Sequence, residues 1–185
     1  PVGGLFPETS IGWYRKKFEV ARSDSSNRFV LRFDGVYRNS QAWVNGFYLG
    51  TNESGYIGVS YDITDYLYFD KPNIVTVRVD ATQYEGWFYE GAGIYRHVWL
   101  EQFNNVHIAE GGLFVHTSVQ QNMAMVKVET TVRNRHLKPA SAILSFYVTD
   151  RNGKKVAKSI PRPIRIPAFG EKDVQQEAIL LKPHL

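Results

Sequence analysis

Ser40-Gln41-Ala42-Trp43-Val44-Asn45-Gly46-Phe47-Tyr48-Leu49-Gly50 decides how the fold is read. Apolar residues flank Asn45-Gly46 on both sides. An Asn-Gly pair suits a two-residue type I′ turn, because both central residues need positive φ. The stretch therefore predicts a β-hairpin. The segments around it continue the strand pattern. Phe29, Leu31 and Phe33 alternate with polar residues between Arg28 and Asp34, and Val75, Val77 and Val79 alternate between Ile74 and Asp80. Period-2 alternation of this kind marks half-buried strands.

The same reading extends outward. Gly12 to Val20 is a strand with Tyr14, Phe18 and Val20 on one parity and Trp13, Arg15, Lys17 and Glu19 on the other. Val59 to Ile63 is a short strand, and Thr64 is expected to cap a single helical turn. Tyr95 to Glu101 is a further strand. Trp13, Trp43 and Trp99 lie in strands and are expected in the core. All four tryptophans precede Phe103, and Asn104-Asn105 is a plausible junction. Strands follow it at Val106 to Ala109, Leu113 to Val119, Met125 to Val132, Ala142 to Thr149, Val156 to Ile160, Ile164 to Ile166 and Val174 to Leu181. Asp150 to Lys154 forms a second hairpin turn. Pro161, Pro163 and Pro167 fit edges and corners. No segment has sustained helical periodicity. The chain is therefore read as all-β, with one sandwich over residues 1–104 and a second over 105–185 whose closing strand is not evident.

Composition bounds the function. The chain has 185 residues, a net charge of +4, 14% aromatics and no cysteine. Disulfides and thiolate metal sites are excluded. Lys and Arg are dispersed, which argues against nucleic acid. No apolar run of about 18 residues crosses a membrane. Pro1-Val2-Gly3-Gly4 is not a signal peptide, and the chain reads as an excised or processed piece. A periplasmic or extracellular setting is favoured over a cytoplasmic one.

Glu85-Gly86-Trp87-Phe88-Tyr89-Glu90-Gly91-Ala92-Gly93-Ile94-Tyr95-Arg96 holds most of the chemistry. Three adjacent aromatics cannot all enter one core, because neighbouring side chains on an extended chain point to opposite sides. An exposed ring stacks on the apolar face of a pyranose, and a nearby carboxylate accepts its hydroxyls. Glu85, Trp87, Tyr89 and Glu90 are the candidate sugar contacts. The alternative for each is a loop carboxylate held by backbone N–H groups, or a ring packed on the loop.

Other chemistry fails on context. The five histidines show no metal-ligand spacing, so no metal is expected. Gly91-Ala92-Gly93 has no βαβ unit around it to bind a phosphate. Asn52-Glu53 follows the hairpin in a polar turn rather than ending a buried barrel strand, which argues against a catalytic Glu53. No cofactor is called for.

Several motifs, taken in order, resemble glycoside hydrolase family 2. They are Gly12-Trp13-Tyr14-Arg15-Lys16-Lys17-Phe18, Arg32-Phe33-Asp34-Gly35-Val36, Ala42-Trp43-Val44-Asn45-Gly46 with Leu49-Gly50, Tyr61-Asp62-Ile63-Thr64-Asp65-Tyr66-Leu67, and Gly91 to Leu100. The resemblance implies a galactose-binding-like jelly roll, then an immunoglobulin-like sandwich, then a catalytic (β/α)8 barrel whose signatures are not in this sequence. Both catalytic glutamates of the family belong to that barrel, so no catalytic residue is assigned here. In β-galactosidases of the family, the loop before the Gly-Ile-aromatic-Arg motif contributes a carboxylate to the sugar pocket. Trp87 stands at that position here, with Glu85 and Glu90 beside it. The implied partners are a β-galactoside or related glycan, the barrel of the same polypeptide and, in some assemblies, a second copy. The rival expectations are a stand-alone carbohydrate-binding module and a structural or oligomerisation sandwich.

Overall fold

The computed structural model describes residues 10–83 and 91–183. The chain is all-β and divides into two compact units, Pro1–Phe103 and Asn104–Leu185. In the first unit the strands are β1 (Ile11–Phe18), β2 (Arg28–Phe33), β3 (Val36–Tyr37), β4 (Ser40–Val44), β5 (Phe47–Asn52), β6 (Val59–Asp62), β7 (Asn73–Asp80), β8 (Gly93–Ile94) and β9 (Val98–Phe103). They form a four-stranded sheet in the order β1-β7-β4-β5, a three-stranded sheet β6-β2-β9 and a short β3-β8 pair. Phe29, Leu31 and Phe33 from one sheet share a single core with Ala42, Val44, Val75, Val77 and Val79 from the other. The alternation expected of β2 and β7 thus brings two sheets face to face across one apolar layer.

The hairpin forms where Asn-Gly places it. Asn45 and Gly46 both have positive φ, 53° and 87°. Asn45 also ties the turn to β7. Its Nδ2 donates to Tyr66 O and to Asn73 Oδ1, both at 2.7 Å, and its Oδ1 accepts Ile74 N–H at 2.9 Å. Asn73 is fully buried, and it exchanges two further bonds with the Tyr68 backbone. A buried amide is tolerated when it is hydrogen-bonded, and here each amide's oxygen and nitrogen find partners in the other amide or in backbone.

Three expectations are corrected. Trp13 and Trp99 are not in the core. They are 63% and 44% exposed, because both lie on the outward parity, opposite Arg78 and Arg32 respectively. Trp13 stacks at 5.7 Å on Trp43, which is likewise not in the core but half-buried on the outward face between Ala42 and Val44, while Trp99 stacks on His97 and donates its Nε1–H to Asp34 at 2.7 Å. The strand expected from Tyr95 starts only at Val98, since Gly93–Ile94 pairs separately with β3. The short helical turn does occur, at Thr64–Tyr66, but Thr64 is inside it. Asp62 supplies the acceptor instead, receiving Thr64 N–H at 3.1 Å and its hydroxyl at 2.7 Å.

The second unit contains β10 (Val106–Gln120), β11 (Met123–Asn134), β12 (Ala140–Leu144), β13 (Tyr147–Thr149), β14 (Lys155–Lys158), β15 (Arg162–Ile166) and β16 (Glu171–Leu181). β10-β11-β16 is the main sheet, and β12-β15 and β13-β14 are two-stranded pairs. The two strands expected between Val106 and Val119 are one strand with a register shift between Ile108 and Leu113, where Gly111 takes a φ of 66°. The single strand expected from Ala142 to Thr149 is two, broken at Ser145-Phe146, where Phe146 and Ser159 exchange hydrogen bonds. Val132, Ile164, Ile166 and Val174 form its core.

Candidate functional site

The end of the first unit opposite the Asn45–Gly46 turn gathers four connections: residues 37–40, 53–58, 80–83 and 91–97. β7 leaves the sheet there into the stretch that carries the candidate sugar contacts. Glu85, Trp87, Tyr89 and Glu90 themselves lie outside the described residues. The geometry of both flanks is described.

On the entry side, Asp80 fixes the exit of β7. Its carboxylate accepts Thr82 N–H at 3.2 Å, the Thr82 hydroxyl at 2.6 Å and Arg78 Nη2 at 2.8 Å. The Thr82 hydroxyl and amide, with Arg78 behind them, hold the Asp80 carboxyl below the usual carboxylate range. Asp80 N–H donates to Arg38 O at 3.1 Å, and the Arg38 guanidinium donates to Gln83 Oε1 at 2.7 Å. The β3–β4 connection is thereby bonded to the residues on either side of Thr82.

On the exit side, Gly93 has φ 101°, a conformation that L side chains rarely adopt. The Tyr14 hydroxyl fills the space a Cβ would need there. Tyr95 OH donates to Gly55 O at 2.7 Å, joining this flank to residues 53–58. Tyr37 meets Tyr56 edge-on at 5.6 Å, and the Arg96 guanidinium lies 5.4 Å from the Tyr95 ring. The rim is therefore aromatic and hydrogen-bonded, with cations at Arg38 and Arg96.

The other sequence candidates are dispersed. Glu53 is exposed, and Asn52 spends its side chain on the turn, donating to Ile57 O and accepting Ser54 N–H. His97 is exposed against Trp99, His107 Nδ1 lies 2.8 Å from Asn104 O, and His116 meets Phe114 edge-on. Among the described residues, no three His, Asp or Glu side chains gather as metal ligands. No described helix is long and apolar enough to cross a membrane. Sequence reasoning does not single out Arg38, Asp80 or Gln83. Arg38 and Gln83 are 45 residues apart, and no local pattern joins them. The Tyr95-Arg96 pair does sit within the quoted motif.

Known proteins resolve the family. Residues 5–103, more than half of the chain, match the model of the sugar binding domain of glycosyl hydrolases family 2. The β-galactosidase BoGH2A of Bacteroides ovatus is 40% identical over 159 residues, which is 85% of this chain and 19% of that protein. A β-glucuronidase of Bacteroides fragilis is 28% identical across the whole chain, which spans 28% of that protein. Among solved structures, a family 2 member from Bacteroides cellulosilyticus superposes with a TM-score of 0.90 at 31% identity, covering 95% of this chain and 24% of its own. The chain thus spans about a fifth to a quarter of the length of the relatives it matches. On the family model and on the motifs now seen to build the hairpin, the first core and the aromatic rim, the chain belongs to glycoside hydrolase family 2 and contains its sugar-binding domain.

Proposed function

We propose that this chain is the non-catalytic portion of a retaining family 2 β-glycosidase, most like a β-galactosidase, that braces a (β/α)8 barrel and edges its sugar pocket. The observation that carries the reading is the rim. Asp80, Arg38 and Gln83 on one flank and Gly93 and Tyr95 on the other meet at one end of the sandwich, joined to the neighbouring connections by hydrogen bonds. Glu85, Trp87, Tyr89 and Glu90 fall in the sequence between these two flanks. In this reading the carboxylates accept sugar hydroxyls and a ring stacks on a pyranose face. The first unit is a jelly roll and the second an immunoglobulin-like sandwich. Hydrolysis belongs to a barrel carrying two carboxylates about 5–5.5 Å apart, the separation for retention.

The test has two parts. Residues 1–185 alone are expected to release no nitrophenol from β-galactosides or β-glucuronides, and turnover above a heat-denatured control overturns the assignment. In the longer enzyme, Glu85→Gln or Glu90→Gln is expected to raise KM about tenfold, the loss of one charge-assisted hydrogen bond of about 1.5 kcal/mol. An unchanged KM in both removes the loop from the pocket.

One observation favours a second reading, autonomous glycan binding. On the outer face of the four-stranded sheet Trp13 stacks on Trp43 at 5.7 Å, and Tyr48 lies tilted against Trp43 at 5.6 Å. Calorimetric binding of a β-linked oligosaccharide to residues 1–185, abolished by Trp13→Ala, would select it.

A further inference from the structure

Charge is divided unevenly between the two units. Residues 1–103 hold ten Lys and Arg against twelve Asp and Glu, whereas residues 104–185 hold twelve against six. Within the second unit the division is sharper. Five of its six carboxylates, Glu110, Glu129, Glu171, Asp173 and Glu177, lie on β10, β11 and β16. Residues 135–170 carry eight Lys and Arg, with Asp150 as their one carboxylate. Asp150 accepts Asn152 N–H at 2.8 Å and Lys154 N–H at 3.0 Å, so it is engaged by its own hairpin turn. All eight cations are exposed, and no ion pair among the described residues reaches any of them.

Strand pairing collects several of them on one face. β12 and β13 form one arm of a long hairpin and β14 and β15 the other, with Phe146 and Ser159 bonded across the break. Ser141, Ile143, Ser145, Tyr147 and Thr149 are exposed and the residues between them half-buried, so these five share the outward side. Arg165 pairs with Ser141, Lys158 with Tyr147 and Lys155 with Thr149, which puts three cations on that side. Lys155 and Lys158 are three apart and would face opposite sides of a regular strand. The register shift between Val148 and Thr149 turns both outward. Lys155 Nζ lies 4.0 Å from the centroid of the Tyr147 ring, which is itself 58% exposed. The face extends about 26 Å from Ser141 to Thr149, at about 3.3 Å per residue. Arg151 and Lys154 follow in the hairpin turn.

Like charges gathered without counter-charges raise the local potential and draw in anions. A row of this length, with an exposed ring among its cations, fits a chain polymer better than a small ion. We infer that the outward face of the β12–β15 hairpin binds an acidic polysaccharide. Its carboxylates pair with Lys155, Lys158 and Arg165, and the exposed part of the Tyr147 ring lies against the polymer. A sugar polymer is chosen over nucleic acid because the chain belongs to a glycoside hydrolase family. The inference rests on that membership and not on residues 84–90.

Calorimetric titration of the 185-residue chain with polygalacturonate tests it, with neutral dextran and a mixed-sequence DNA duplex as comparison polymers. Binding is expected at 50 mM salt and should weaken about tenfold at 200 mM, as counterion release at several contacts requires. Lys158→Glu is expected to weaken it about tenfold. Lys172→Glu, the same change of charge on β16, should alter it less than twofold. Both variants should melt at the parent temperature, and Lys158→Gln supplies a milder loss of about threefold without a reversed charge. Glu85→Gln should leave the binding unchanged, which separates this face from the proposed sugar pocket. No binding of polygalacturonate overturns the inference. So do equal losses in Lys158→Glu and Lys172→Glu, which trace the affinity to net charge alone. DNA bound as tightly as polygalacturonate reassigns the face to nucleic acid, dextran bound as tightly removes charge from the recognition, and a loss in Glu85→Gln moves the binding to the rim. Each of these outcomes also overturns it.

Discussion

The two units are built from the same element but consolidate it differently. Among the described residues, the first has a core of eleven buried apolar residues, eight of them from its two larger sheets. The second has a core of four, and its smaller sheets are two-stranded pairs. Along β10, Leu113 and Val115 pair with Thr130 and Val128, both buried, yet are themselves more than half exposed. The comparison teaches where rigidity is placed. The first unit holds its core against Phe29, Leu31 and Phe33, so its loop rim rests on a stiff base. The second buries one face of a long antiparallel ladder, including Val126, Val128 and Ala178, beside a smaller cluster.

The largest test of that difference is a core truncation. Phe29→Ala is expected to cost about 3–5 kcal/mol, since a buried ring is lost and a cavity remains. Calorimetry of the whole chain should show the transition of the first unit moving down alone. A single shared transition moving as one would break the comparison by showing that the units unfold together.

Next come Asn73 and Asn134, the two asparagines with no exposed surface among the described residues, one in each unit. Asn134 donates to Lys138 O and Pro167 O, each at 2.9 Å, and accepts His136 N–H, much as Asn73 serves the first unit. Asn73→Ala and Asn134→Ala should each cost about 1–3 kcal/mol by orphaning buried backbone groups. Denaturant titration is expected to place each loss in its own unit.

Acid acts on both units, since the Lys127 ammonium also holds the Glu129 carboxyl of the second below its usual value. Burial works to raise the Asp62 carboxyl, but hydrogen bonds from Arg28 and Thr64, with the Arg28 charge, outweigh it and hold the group below its usual value. Asp80 is lowered as well. A depressed carboxylate contributes stability above its unfolded value and loses it as pH falls through the folded one. The Tm of the first unit should therefore drop between about pH 5 and pH 2, and Asp62→Asn should flatten that drop while lowering Tm at pH 7. An unchanged slope would show that Asp62 does not carry the effect.

The smallest expected effect is Trp13→Ala, about 0.5–1.5 kcal/mol for the lost ring stack. Thermal melts that detect a core-sized loss would contradict the outward placement of Trp13.

What is legible in the sequence is local. Asn45-Gly46 specifies its turn chemically, and the alternation in β2 and β7 records which face is dry. The outward tryptophans mislead because ring size suggests burial while parity decides it, and Trp13 stands opposite Tyr14 and Phe18 in the pattern. The bulge near Gly111 and the break at Ser145-Phe146 are hidden because each depends on a partner strand far along the chain. The rim is hidden for the same reason, since Arg38 meets Gln83 only after the fold closes. The family motifs point to residues 84–90 as the stretch to watch, but the chemistry that pins their flanks is long-range.

Gly93 has one more consequence, for how variation in this family is interpreted. The Tyr14 hydroxyl fills the place of its missing side chain, and the Tyr37 ring does the same at Gly55. In a saturation library these two positions will reject nearly every substitution although neither glycine has a side chain with which to grip a ligand. Shortening Tyr37 in the same clone should restore tolerance at Gly55, whereas shortening Tyr14 should not restore it at Gly93, whose φ of 101° excludes L side chains whatever the space. A profile of invariant glycines around this rim therefore records steric exclusion by two tyrosines and, at Gly93, backbone conformation rather than recognition of a sugar.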